Sequence, residues 1–591
     1  MTLSTIRIGC ASAFYGDSQL AARQLVDGGD LDYLVFDYLA ESTMAVLSRA
    51  RARSPELGYA VDFVDVAMRD VLVDCARHGI KVVANAGGVN VPACIEKLES
   101  LCEELGLSLS IAGVAGDDLL PRADDLAAEG MPELQTGAPL PTGLTSLNAY
   151  LGGRPVAEAL AAGADIVVTG RVVDSALVIG PLLHEFNWCH EDYDRLSQAA
   201  LAGHVIECGA QCAGGNFTDW HLVPDFANIS YPVAEVSSDG SFVVTIVDGT
   251  GGLVTPHTVA EQVLYEIGDP ANYLLPDVAC DWTRVDLAAQ GENRVKVTGA
   301  RGRAPGHQYK TCGIYQDGYR LGGTLFVAGE RSADKARTSL DALVRRTAQV
   351  FSDRGWAGYR EVDIEILGTE HVYGEHSRVH NPREVVAKYA LHHDSRDALV
   401  FAAGEVASLV TSATPGISGF GISRNRPSPR MYLHSGLIDK GDVPVSIYLG
   451  NDVVASRVFN NDESPASTGA GYELAPVAPG QCVAVPLERL ACARSGDKGN
   501  NANIGVVARE EAFLPYLHEQ LTAERVKEYF SHIVDGEVTR YDLPGFRAFN
   551  FFMTEALGGG GAASLRVDPQ GKAFAQMLLA IPIEVPASLV S

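Results

Sequence analysis

The chain has 591 residues, too many for one hydrophobic core, so about three or four structural units are expected. Hydrophobic residues make up 47% and charged residues 20%, the balance of an ordinary globular protein. The 46 basic and 74 acidic side chains leave a net charge of −28, which argues against nucleic acid and anionic membrane as partners but leaves room for a small anion held by local lysines and arginines.

No apolar run reaches the ~18 residues of a membrane span, and MTLSTIRIGCASAF lacks the pattern of a signal peptide. Eleven scattered cysteines without a CxxC pair fit reduced thiols, so a cytoplasmic protein is expected.

From the N-terminus, short apolar runs (IRIGCA, YLVFDYL, IKVVANAGG, LSLSIAGV, ADIVVTG) alternate with stretches of helical period. That alternation predicts an α/β unit over residues 1–230, a mainly parallel sheet with crossover helices. Polar or glycine-rich residues follow the runs, as in FDYLAES, ANAGGVN and TGRVVDS, where open α/β sheets bind ligands.

In ANAGGVN, Asn85, Gly87 and Gly88 are candidates for close backbone approach to an anion at a helix N-terminus; a purely structural turn is the alternative. In TGRVVDS, Arg171 is a candidate for a carboxylate or phosphate, with Asp174 orienting it or capping the helix. GHVIECGAQCAGGN offers Glu207 as an acid/base, Cys208 as a nucleophile and Asn216 beside a Gly-Gly approach. His204, Glu207, Cys208 and Cys212 also suggest a metal, although their spacing fits no standard ligand pattern and no metal is assigned.

Residues 231–459 are richer in β-branched segments with glycine-bearing turns and predict an α+β part of the same large domain. Within it, Thr255 and Pro256 predict a helix start, and RDALVFAAGEVASLVTS predicts a buried helix. Residues 460–480, rich in Pro, Gly, Ser and acid, predict a linker.

Residues 481–591 then read as a compact ββαββα module. Its ARSGDKGNNANIG stretch reads as a polar connection between two strands. Gly496 and Gly499 would permit an anion-binding turn. Arg494, Ser495, Asn500 and Asn503 are candidate substrate contacts. Asp497 and Lys498 are candidate acid/base groups.

Several long motifs, GADIVVTGRVVDSALVIGP, GHVIECGAQCAGGN, GGLVTPHTVAEQVLYEIGDPANYLLPDV, ARSGDKGNNANIGVVAR and ALGGGGAASLRVDPQGK, resemble the acyclic terpene utilisation protein A family across nearly the whole chain. The resemblance implies a large N-terminal domain followed by a ferredoxin-like C-terminal domain. It also implies a place in the degradation of terpenoid and branched acids as coenzyme A thioesters. It supplies no catalytic residue.

The expected activity is acid/base chemistry on an acyl-CoA or related carboxylate at the domain interface, as a hydratase/dehydratase or C–C lyase, in a homo-oligomer. Coenzyme A is expected as part of the substrate and no other cofactor is assigned. The alternatives are a non-catalytic acyl-CoA-binding or accessory subunit of a CoA-dependent carboxylase pathway, and a metal-dependent hydrolase using His204, Glu207 and Cys208.

Overall fold

The apolar runs near the N-terminus form the middle of one large sheet. The computed structural model describes residues 5–419, 425–450, 452–459, 465–474, 477 and 482–590. Its first strands are β1 (Thr5–Cys10), β2 (Tyr33–Phe36), β3 (Lys81–Ala84), β4 (Ile111–Ala115), β5 (Leu144–Ala149) and β6 (Ile166–Thr169). Five of them pair in parallel in the order β1-β2-β3-β6-β4. YLVF and IVVT are wholly buried, as strands covered on both faces by helices must be.

Antiparallel strands extend both edges. Pro232–Ser237, Phe242–Ile246, Val295–Thr298 and Asp286–Ala289 continue beyond β1, and Val445–Leu449 with Asp452–Arg457 beyond β4, to make eleven strands among the described residues. Strands from residues 231–459 therefore complete a sheet that residues 1–230 begin. Thr255 closes a capping box at the start of the helix Pro256–Leu264, with Pro256 at its first position. Among the described residues, no helix is long and apolar enough to cross a membrane.

β5 leaves this sheet and pairs with the long strand Gln308–Ala328 of a second one. Glu384–His393, Glu361–Leu367 and Ser428–Asp439 complete most of that sheet. The crossing carries the residue after β5, Tyr150, to the side of Lys310, whose carbonyl accepts its N–H at 2.9 Å. The helices Ser332–Asp353 and Arg396–Ser412 pack in the same core as this sheet. Arg396–Ser412 is less buried than its apolar sequence predicts. Ala398, Leu399, Ala402, Val406 and Leu409 face the core, while Val400 and Val410 stay exposed.

The C-terminal module is a two-layer α+β unit with an antiparallel sheet in the order Ala491–Lys498, Asn501–Ala508, Ala548–Met553, Val538–Leu543. Two corrections to the sequence reading follow. ARSGDKGNNANIG is not a long connection: most of it is the two strands, joined by a turn of Gly499 and Asn500. Of its glycines only Gly499 (φ 64°) is left-handed, as a two-residue turn with glycine first requires, whereas Gly496 lies within a strand. The module also contains an unforeseen strand, Pro582–Pro586, paired with Cys482–Pro486.

Of the linker expected at 460–480, residues 465–474 and 477 are described and the rest lies outside the described residues. The described part is strapped down. Ser467 Oγ donates to Asp281 Oδ2 (2.8 Å), and Tyr472 OH donates to the carbonyls of Leu543 (3.2 Å) and Ala548 (3.1 Å).

Candidate active site

A cavity of about 550 Å³ lies where the C-terminal ends of β2 and β6, the second sheet and the tip of the C-terminal hairpin meet. That is the volume of an ordinary small-molecule site at a domain interface. One wall belongs to the large domain and carries Glu41, Tyr150, Arg171, Asp174, Glu207 and Lys310. Facing it are Glu266, Asp497, Lys498 and Gln570.

The first wall is built around the ring of Tyr150. The Arg171 guanidinium carbon lies 4.1 Å from its centroid and Lys310 Nζ lies 4.8 Å from it, so two cations use one aromatic face system. Tyr150 OH donates to Glu41 Oε1 at 2.7 Å, and Lys310 Nζ pairs with the same oxygen at 3.5 Å. Glu41 opens the helix Glu41–Arg53, where the helix dipole also favours its charge. Burial pushes its carboxyl up, but Lys310 and Arg171 outweigh that and hold it well below the usual range.

Arg171 is fixed from both ends. Its backbone N–H donates to Asp117 Oδ2 (2.8 Å) and its Nη1 to Asp174 Oδ1 (2.7 Å). The side chain is only 5% exposed, and its buried Nε–H has no partner among the described residues. The cavity reaches the guanidinium as a charged group on its wall rather than through this sealed Nε–H.

The second wall straddles the domain boundary. Glu266, just after the helix Pro256–Leu264, accepts from Lys572 Nζ at 2.8 Å and pairs with Lys498 Nζ at 3.8 Å. Its backbone N–H donates to Asn503 Oδ1 at 3.0 Å. Burial raises the Glu266 carboxyl, but Lys572 and Lys498 bring it below its ordinary value.

Asp497 Oδ1 accepts from Lys572 Nζ (3.2 Å) and Gln570 Nε2 (3.3 Å), while Oδ2 has no partner among the described residues. Burial, reinforced by the nearby Glu266 and opposed by Lys572, pushes Asp497 up to about 6. Lys498 moves the other way. Burial disfavours its charge, yet Tyr273, Glu266, Asp174 and Glu41 together keep its pKa above that of a free lysine. Its side chain remains 42% accessible because it faces the cavity. Glu207 is raised by burial, with His204 opposing and Asp174 adding to the shift.

The cavity thus gathers Arg171, Asp174, Glu207, Asp497 and Lys498 from the residues singled out in the sequence. The others serve elsewhere. Arg494 is spent on buried Glu261 (3.0 Å), Gln211 and the Gly215 carbonyl. Ser495 Oγ donates to Gly571 O (2.7 Å) and accepts from Ala575 N–H (2.9 Å). Asn500 accepts from Gly559 N–H, and Asn503 donates to Leu264 O and Asn550 Oδ1.

Asn85 ties Tyr38 N–H to the Asp37 carboxylate. Gly87 and Gly88 allow packing rather than ligand approach. A side chain on Gly87 would sit 2.6 Å from Thr169 O, and one on Gly88 2.7 Å from Gly58 O. Asn216 takes a left-handed turn (φ 56°) outside the cavity wall.

Cys208 also lies outside the wall, with its thiol pushed up by burial and by Glu207, the opposite of what a nucleophile needs. Both ring nitrogens of His204 are engaged, with Glu207 (3.1 Å) and the Val263 carbonyl (3.2 Å), and Cys212 is in the core. Among the described residues no group of three His, Cys, Asp or Glu is placed to hold a metal ion.

Sequence reasoning missed Glu41, Tyr150, Lys310, Glu266 and Lys572. The polar FDYLAES end of β2 pointed toward Glu41, and Lys572 lies in the last family-like motif. Tyr150 and Lys310 meet only through the pairing of β5 with a distant strand.

As lined, the cavity holds five carboxylates (Glu41, Asp174, Glu207, Glu266, Asp497) against Arg171, Lys310 and Lys498. An anionic ligand adds to that excess and raises Asp497 and Glu207 further. Its binding is therefore expected to take up protons at neutral pH and to tighten as pH falls. Titration calorimetry in buffers of different ionisation enthalpy reads this directly; binding that releases protons would contradict it.

A family model described as acyclic terpene utilisation family protein AtuA matches residues 6–449. A second, described as the AtuA ferredoxin-like domain, matches residues 485–584. Among curated proteins, none matches the chain.

Proposed function

The chain belongs to the acyclic terpene utilisation protein A (AtuA) family, whose role lies in terpene catabolism, and from that premise we propose a lyase of the hydratase/dehydratase type acting on a branched or terpenoid acyl-CoA. One observation carries the reading. A carboxylate poised near neutrality with a free oxygen, Asp497, stands beside a lysine kept charged, Lys498, in a cavity that also holds a carboxyl raised toward its protonated form, Glu207.

In the dehydration direction Asp497 Oδ2 removes the proton α to the thioester carbonyl. Lys498 donates to the enolate oxygen as charge develops there, and Glu207 gives its proton to the departing hydroxyl, which leaves as water. Hydration is the reverse. Arg171 and Lys310, the cations of the large-domain wall, hold a carboxylate carried by the acyl group.

A panel of branched 3-hydroxyacyl- and enoyl-CoA thioesters, followed by loss or gain of enoyl absorbance, tests this. Lys498→Met is expected to lower kcat about 10²–10³-fold, as removal of an oxyanion donor does, with a smaller effect on ligand affinity. Two shorter products instead of water and an enoyl thioester would replace this reading with C–C cleavage. Tight acyl-CoA binding without turnover would replace it with an accessory binding subunit.

A further inference from the structure

The segment LGGGGAASLR, residues 557–566, takes no part in the mechanism above, yet it lies against the hairpin tip that borders the cavity. A side chain on Gly560 would come within 2.2 Å of Gly499 O, and one on Gly561 would lie 4.0 Å from Asp497 Oδ2. Gly558 (φ 61°), Gly559 (φ 101°) and Gly560 (φ 79°) are left-handed in succession, a path open only to glycine at this packing. Gly559 N–H donates to Asn500 Oδ1 (2.7 Å), and the N–H groups of Ala563 and Ser564 both donate to Gly560 O. The N–H groups of Gly558, Gly560, Gly561 and Ala562 have no acceptor among the described residues.

Cations of the second sheet grip the carbonyls of the same segment. Lys388 donates to Leu565 O, Arg430 Nε to Ala563 O (2.7 Å) and Arg320 Nη1 to Ala562 O (3.3 Å). Two of these charges are balanced: Lys388 pairs with Asp363 and Glu365, and Arg430 with Glu361. Arg320 forms no ion pair among the described residues, and burial together with the neighbouring Arg430 lowers its pKa.

Arg566 lies against Gly558, where a side chain would come within 3.1 Å of its Nε, and its Nη1 spends its bonds on the carbonyls of Ile533 (2.9 Å) and Ala556 (2.8 Å), again without a carboxylate among the described residues. In a chain with 74 acidic side chains, two guanidiniums without a carboxylate partner among the described residues, beside a loop of N–H groups without an acceptor there, make an arrangement suited to an anion.

We propose that the loop 558–562, with Arg320 and Arg566, cradles a phosphate group of the coenzyme A moiety beside the hairpin tip that borders the cavity. The identity of the phosphate as that of CoA rests on the acyl-CoA reading; the anion site itself does not. Guanidiniums and backbone N–H groups match phosphate oxygens in number and direction. A phosphate held here anchors the nucleotide end of the thioester outside a cavity sized for its acyl end.

Calorimetric titration of the full chain with inorganic pyrophosphate, CoA and S-acetylpantetheine, a thioester without phosphate, separates the two ideas. Arg320→Ala is expected to weaken pyrophosphate and CoA roughly tenfold or more, the loss of a charge-assisted contact, and to leave S-acetylpantetheine unchanged. Arg320→Lys recovers part of the loss, and Arg566→Ala is the second variant should the first fail to fold. The proposal is overturned if the unaltered chain binds neither pyrophosphate nor CoA, or if Arg320→Ala weakens S-acetylpantetheine equally. Pyrophosphate binding that Arg320→Ala abolishes, in a chain that ignores CoA and its thioesters, upholds the cradle and removes the acyl-CoA reading.

Discussion

Asp497→Asn is expected to lower kcat/KM about 10²–10⁴-fold, the loss that follows removal of a positioned general base. The wild-type profile should fall at higher pH as Glu207 loses the proton it gives, and on its acid side should rise through about 6, where Asp497 ionises. The asparagine variant should lack that limb. Lys572 supplies a second, directional check, because its ammonium opposes the burial and Glu266 repulsion that raise Asp497. Lys572→Met therefore moves the limb to higher pH, a shift that a merely structural lysine would not cause.

Stability separates chemistry from unfolding in the same variant. The folded pKa of about 6 exceeds the ordinary 3.8, so the folded chain holds the proton through that window. Stability from this group is present below the lower value and lost as pH rises through the upper one. Asparagine carries no such cost at neutral pH, so the variant should melt no lower than wild type while losing activity. Full activity in Asp497→Asn, or an unchanged acid limb, would remove Asp497 from the chemistry.

The parallel strands were legible because burial on both faces leaves continuous apolar runs, and the site's location at strand ends followed from that. The C-terminal motif was legible as a dense polar stretch but not in its parts. Polar residues within strands can serve either a cavity or a domain interface, and the choice depends on what the opposite domain presents. Asp497 and Lys498 meet a cavity, whereas Arg494 and Asn503, a few residues away, meet Glu261 and the Leu264 carbonyl. Likewise Gly87 and Gly88 signalled close approach, but of other backbone. Tyr150 and Lys310 carried no local signal, since a strand exchanged between sheets joins them across 160 positions of sequence.

Arg494→Met is expected to cost about 3–5 kcal/mol of stability, the usual effect of stripping one partner from a buried ion pair. Glu261, fully buried, receives both Arg494 Nε (3.2 Å) and Nη2 (3.0 Å), with Thr218 N–H as its other donor (3.1 Å). Thr218 in turn clasps the Ala493 backbone through two 3.0 Å hydrogen bonds, so this cluster joins the C-terminal sheet to the large domain.

Burial already raises Glu261 despite Arg494, and losing the guanidinium raises it further. A carboxyl raised in the folded state is least costly when protonated, so the variant should be relatively rescued in acid and worst at high pH. Adding Glu261→Gln should return most of the loss, because a neutral amide leaves no unpaired charge in the interface. Thermal melts of the two single variants and the double variant at acidic and alkaline pH decide the matter. If Arg494→Met melts like wild type but loses ligand affinity, Arg494 is a ligand contact after all and the interface is held by other bonds.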